Sequence, residues 1–120
     1  MVGRVGKVLR LQAEAEVLLE LHPAPLIAAV EEVAGRYGRL DILVNCAGIV
    51  GQTSVKTAEY DSAIFDQVVN VNLKGAFLLT KYAIPHMLRQ KYGRILHITS
   101  IGGKDGNPGM VGYAASKSGL

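Results

Sequence analysis

Two short apolar runs, at residues 40–44 and 95–99, flank a long stretch in which apolar positions recur every three or four residues. The stepped positions are Phe65, Val69, Asn72, Ala76, Leu79, Ala83 and Met87, and they predict a helix over about 61–90. The short runs, the first with Asp41 near its entrance and Gly48 behind it, read as buried parallel strands. Strand, helix and strand make a βαβ unit, whose crossover is almost always right-handed. Upstream, Pro25 suits a first helical position, and Leu26, Val30, Val33, Ala34 and Tyr37 share one helix face. Gly38 suits the C-terminal cap of that helix.

Three further segments complete the pattern. Residues 8–21 read as a helix, broken by His22-Pro23-Ala24-Pro25. Residues 101–112 hold Gly102, Gly103, Gly106, Pro108, Gly109 and Gly112, which predicts a loop. A last helix starts near Tyr113. There is no internal repeat, low-complexity tract or interdomain linker. Residues 1–24 form a poorly legible N-terminal segment, and 25–120 one α/β unit.

Composition adds a demand for burial. With glycine counted and tyrosine left out, about 57% of the chain is apolar, against roughly 45–50% in ordinary soluble domains. A chain of 120 residues has the most surface to cover with polar groups. The excess therefore predicts faces that a larger sheet or a second subunit covers. The net charge of +3 is mild and its basic residues are scattered among acids, which gives nucleic-acid binding no support. A single cysteine excludes an internal disulfide and fits a reducing compartment. No apolar run approaches the roughly 18 residues of a membrane span. Arg4, Lys7 and Arg10 are followed by Glu14, Glu16 and Glu20, whereas targeting leaders are poor in acids. The expectation is a soluble, cytoplasmic protein. His22, His86 and His97 fall on separate elements without ligand-like spacing, so no metal site is expected, and His97 reads as a satisfied core histidine.

The candidate chemistry begins with Tyr113 and Lys117, which at i and i+4 lie on one helix face, one turn apart. An ammonium beside a phenol favours its ionised form, the direction a proton-transfer group needs at neutral pH. Ser100 ends the second apolar run thirteen residues earlier and can hold a carbonyl or hydroxyl oxygen against that tyrosine. In a parallel sheet all C-terminal strand ends share one edge, where ligands bind. Asn45-Cys46-Ala47-Gly48 and Ser100 both fall on that edge.

These elements, together with Asn72-Leu73-Lys74-Gly75, stand in an order that closely resembles the short-chain dehydrogenase/reductase family, whose members use NAD or NADP. The likeness runs from about residue 25 to 120, and 102–120 looks most like the branch of 3-oxoacyl-carrier-protein reductases and related sugar and steroid dehydrogenases. It implies a Rossmann-type, doubly wound parallel sheet in three α/β/α layers. It also implies reversible hydride transfer between a nicotinamide cofactor and a carbonyl or secondary alcohol. In that reading Tyr113 is the acid/base, Ser100 orients the oxygen, and Lys117 acts on the phenol and touches the nicotinamide ribose. Asn72 distorts its helix and holds a water in the proton relay. Asn45, Ala47 and Gly48, with Tyr113 and Lys117, line the cofactor. Cys46 replaces the family's second asparagine, and as a buried small apolar group it predicts a change in stability rather than in chemistry. Thr99 is expected to pack behind Ser100.

The pattern also departs from the family. Its glycine-rich turn, roughly T-G-x-x-x-G-x-G, has only a partial echo in Gly3 and Gly6, and the residue that selects NAD over NADP is not found. The expectation is an incomplete Rossmann-type domain, truncated at both ends, that does not turn over on its own and whose full-length parent is a homo-oligomer. The alternative is a non-catalytic binding or oligomerisation module derived from such an enzyme.

Overall fold

The structure, a computed structural model, describes residues 8–11 and 24–120. Three strands, β1 (Val8–Leu11), β2 (Ile42–Asn45) and β3 (Arg94–His97), form a parallel sheet in the order β1-β2-β3. Val8 stands opposite Ile42, Leu43 opposite Ile95, and Asn45 opposite His97. Residues 8–11 are therefore strand, not the start of the expected helix. Four residues lined up along β2 satisfy their backbone by pairing, and a run that short carries no helical period to oppose it. Residues 12–21 of that expected helix lie outside the described residues, as do Gly3 and Gly6.

Helix α1 (Ala24–Tyr37) buries Leu26, Val30 and Ala34, and Gly38 follows it at φ +68°, the left-handed cap expected there. Tyr37 leaves the stripe and is 45% exposed. The predicted long helix forms as α2 (Ser62–Val69), a π turn (Asn70–Lys74) and α3 (Gly75–Arg89) in unbroken succession. Asp61 caps its start, accepting from the Ala63 N–H at 2.8 Å. The π turn shifts the helical register. Val68 and Val71 are buried ahead of Asn72, rather than Phe65 and Val69, while Ala76, Leu79, Ala83 and Met87 follow as expected.

Leu26, Val30, Leu40, Leu43, Leu79, Ala83 and Met87 form the core between α1, α3 and the sheet. Gln90 fastens the end of α3 to the entrance of β2: its Nε2 donates to the Leu40 carbonyl at 2.6 Å and its Oε1 accepts the Leu40 N–H at 3.2 Å. Asp41, wholly buried beside it, takes the Arg39 guanidinium. Strands in sequential order with right-handed crossovers place both crossover helices on one face, and α1 and α3 do lie against each other. On the other face Leu96 is 53% and Ile98 44% exposed. The described residues thus supply the sheet and one helical layer of a three-layer arrangement.

Residues 101–112 are not all loop. Ile101–Asp105 form a short helix, α4, before α5 (Val111–Gly119). Ser100 makes α4 possible by accepting the Gly102 N–H on its Oγ at 3.2 Å and the Gly103 N–H on its carbonyl at 3.0 Å.

Candidate active site

The C-terminal ends of β2 and β3 lead directly into residues 45–48 and 98–100, and α5 lies against both. Two hydrogen bonds strap α5 to the end of β3 and a third ties it to α4. The Lys117 ammonium donates to the Ile98 carbonyl at 2.9 Å, the Thr99 hydroxyl to the Lys117 carbonyl at 2.7 Å, and the Ser118 hydroxyl to the Gly103 carbonyl. Thr99 is itself exposed, and it acts through this backbone contact. Gly103 allows the close approach: a Cβ there would fall 2.5 Å from the Lys117 carbonyl carbon.

Lys117 is 7% exposed, with its Nζ 5.9 Å from the centre of the Tyr113 ring one turn back. Its hydrogen bond to Ile98 uses one of three ammonium protons. Tyr113 and Ser100 are half-buried. Gly48 faces the same amine, since a Cβ at Gly48 would lie 3.3 Å from both Lys117 Nζ and Asn72 Oδ1. The structure thus brings Asn72, Lys117 and Gly48 together, with Tyr113 on the helix of Lys117 and Ser100 at the strand end to which that helix is tied.

Asn72 is fully buried, and its carboxamide is spent on protein groups. Oδ1 accepts the Ile49 N–H at 2.8 Å, while Nδ2 donates to the Ile49 carbonyl and to Ser116 Oγ, both at 2.9 Å. The expected helix distortion is present as the π turn. A π turn leaves a main-chain carbonyl without its usual α-helical donor, and the Asn72 side chain acts as a brace. Ser116, buried and donating to the Tyr113 carbonyl at 2.9 Å, escaped the sequence reading. Its position three residues after Tyr113, toward the buried side of α5, was the available signal.

Asn45 is buried at the end of β2. Its Oδ1 accepts the Ala47 N–H at 3.1 Å and its Nδ2 donates to His97 Nδ1 at 3.2 Å. Cys46 is exposed, not buried as expected, because the chain has left the sheet by that point. The stability argument from a buried thiol therefore does not apply. Burial holds the His97 imidazole below its usual pKa. Among the described residues no group of three or more His, Cys, Asp or Glu could hold a metal, and no helix is long and apolar enough to cross a membrane.

The donors on this edge are compatible with a nicotinamide cofactor. Two N–H groups of Lys117 remain after the Ile98 contact, the Tyr113 ring lies one turn away with its centre 5.9 Å from the amine, and Gly48 leaves room where any side chain would meet the amine. These donors suit sugar hydroxyls and a reacting oxygen.

The comparisons with known proteins agree with this geometry. The profile of the short chain dehydrogenase family matches residues 15–120. The chain is 47% identical over 92 residues to a 3-oxoacyl-(acyl-carrier-protein) reductase of Thermotoga maritima, covering 76% of this chain and 36% of that enzyme. It is 40% identical over 97 residues to the 2-dehydro-3-deoxy-L-rhamnonate dehydrogenase (NAD+) of a Sphingomonas species, covering 81% and 39%. Among solved structures, NAD+-bound xylitol dehydrogenase superposes with a TM-score of 0.77 at 34% identity, over 82% of this chain and 37% of that one. ElxO with NADP bound gives 0.77 at 28% identity, over 91% and 42%. The chain thus spans little more than a third of the length of these curated relatives, and with the family's profile matching residues 15–120 it belongs to the short chain dehydrogenase family.

Proposed function

We propose that these residues form the acid/base section of an NAD- or NADP-dependent oxidoreductase acting on a small-molecule carbonyl or secondary alcohol. The observation that carries this reading is the Lys117 ammonium, buried against the Ile98 carbonyl, beside the Tyr113 ring and facing Gly48. Tyr113 gives or takes the oxygen-bound proton. Ser100 orients the oxygen, and Lys117 holds positive charge beside the phenol and reaches the ribose. Asn45, Ala47 and Gly48 line the cofactor, and Asn72 keeps α5 in place. The bound cofactor supplies or accepts the hydride.

Activity is proposed for a protein that joins these residues to a complete cofactor site; the 120 residues alone are expected to be inactive. The test is a chimera in which residues 40–120 replace the matching stretch of the Thermotoga relative. NADH- or NADPH-linked ketone reduction that disappears in the Tyr113→Phe form supports the reading. A folded chimera whose turnover is insensitive to that change overturns it.

A second reading, a module for assembly with other subunits, is favoured by the outer side of α3, where Phe77 is 60% and Leu88 71% exposed. Light scattering of the chain and of its Phe77→Glu, Leu88→Glu form tests it. A monomer in both removes the support.

A further inference from the structure

We infer that His97 is a positioning residue for the 45–48 turn, which it holds through an unprotonated Nδ1. The Asn45 Oδ1 is committed to the Ala47 N–H, so the end of the carboxamide that meets His97 is the NH2 group. That group can only donate, so His97 Nδ1 must accept. The ring proton then sits on Nε2 and donates to Thr80 Oγ1 at 2.9 Å. One line of hydrogen bonds thus runs from α3 through β3 to the turn after β2, and the register that sets Asn45 opposite His97 brings the two side chains together.

The line tolerates one protonation state. A proton on Nδ1 would set N–H against NH2. The carboxamide can relieve that conflict by rotating, which takes its oxygen away from the Ala47 N–H. Protonation of His97 and order of the turn are therefore coupled, each opposing the other. The groups facing the ring, Thr80 on α3 and Asn45 on β2, do not titrate. The charged groups tied to the same strand are Arg94 at its start and Lys117 of α5, whose ammonium sits on the carbonyl of Ile98. No acid forms an ion pair with His97 among the described residues. That His97 lies below the ordinary imidazole value of 6.5 agrees with this environment. The consequence for cofactor binding rests on the functional reading above; the coupling itself does not.

Nitrogen-15 NMR of the 120-residue chain between pH 8 and pH 5 tests the inference. At pH 8 the ring is expected with its proton on Nε2. The Ala47 amide signal is expected to move with the same midpoint as the ring, below 6.5. In His97→Asn, whose side-chain oxygen can accept in place of Nδ1, the Ala47 signal should keep its pH 8 position throughout. Should that variant not fold, Thr80→Val serves instead: it removes the Nε2 acceptor and should shift Ala47 at pH 8. The opposite tautomer, an Ala47 signal that ignores the ring's titration, or one that still titrates in His97→Asn overturns the inference. NADH fluorescence of the folded chimera described above, which joins His97 to a complete cofactor site, separates the two readings. Affinity falling by up to about tenfold per pH unit below the ring's midpoint supports both. No binding at any pH, with Ala47 still following the ring, leaves the role of His97 intact and refutes the cofactor reading.

Discussion

Asn72 Nδ2 donates to Ser116 Oγ at 2.9 Å, and the Ser116 hydroxyl donates onward to the Tyr113 carbonyl at 2.9 Å. The π turn, the turn after β2 and helix α5 therefore meet at one carboxamide, since the same Asn72 side chain holds both backbone groups of Ile49. Its placement in the middle of a helix stripe is a packing requirement: each polar atom it carries has a partner inside the protein.

Replacing that side chain by one of similar size is expected to be costly. Asn72→Leu leaves the Ile49 N–H, the Ile49 carbonyl and the Ser116 hydroxyl without their partner, at about 1–3 kcal/mol for each buried group that water does not reach. A loss of about 3 kcal/mol or more is expected in urea denaturation. Ser116→Ala removes one hydrogen bond and should cost about 1 kcal/mol. The double change should cost less than the sum, because both residues belong to one network.

Gly103 and Gly35 should respond oppositely to alanine. At Gly103 the new methyl group would fall 2.5 Å from the Lys117 carbonyl carbon and 2.9 Å from the Ser118 nitrogen. Both are backbone atoms and cannot turn aside, so α4 and α5 must separate, at about 1–3 kcal/mol. Gly35 lies inside α1, is exposed, and has no atom within 4 Å of the added Cβ. Gly35→Ala should stabilise the chain by about 0.5–1 kcal/mol through helix propensity. Thermal melts of the two variants should shift in opposite directions.

The same contacts show what could be read from sequence. β2, β3, α1 and the long helix were legible because each carries its own period or cap, as in Leu26, Val30 and Ala34 ahead of Gly38. β1 was not, because Val8–Leu11 becomes a strand only through its alignment with β2. Helix α4 was hidden by its glycines, since Gly102 and Gly103 argue locally for a loop while the Ser100 cap and the close packing on Lys117 favour a helix. Tyr113, Lys117, Ser100 and Asn72 were found from spacing. Ser116 and the His97–Asn45 bond were not, because a hydrogen bond between elements leaves no period in the chain. The exposure of Cys46 was missed for a similar reason, as the alternating in-and-out pattern of β2 ends at Asn45.

Stability should also depend on pH in a direction set by His97. Its folded value lies below the unfolded 6.5, so the unfolded chain takes up the proton first as the medium is acidified. The contribution of the neutral ring is complete above 6.5 and is lost progressively as pH falls from there through the lower folded value. Urea midpoints measured from pH 8 to pH 5 should fall across that window in the native chain. In His97→Asn the part of the fall due to the imidazole should vanish. A midpoint that rises on acidification would contradict the lowered folded value.

Tyr113 and Lys117 are adjacent on one helix face but should separate stability from chemistry. The Tyr113 phenol oxygen has no hydrogen bond to a described residue and is not a buried orphan. Tyr113→Phe therefore removes an atom that bonds no described residue, and the urea midpoint should stay within about 0.5 kcal/mol of the parent. Lys117→Met keeps most of the aliphatic volume but takes the donor from the Ile98 carbonyl. It should cost about 2 kcal/mol, the range for a charge-assisted hydrogen bond. In the chimera both changes should abolish ketone reduction. An assembly module would behave differently, since a phenol that supports neither fold nor interface could be removed without consequence. Loss of turnover in a Tyr113→Phe protein of unchanged stability is thus the result that only an acid/base role produces.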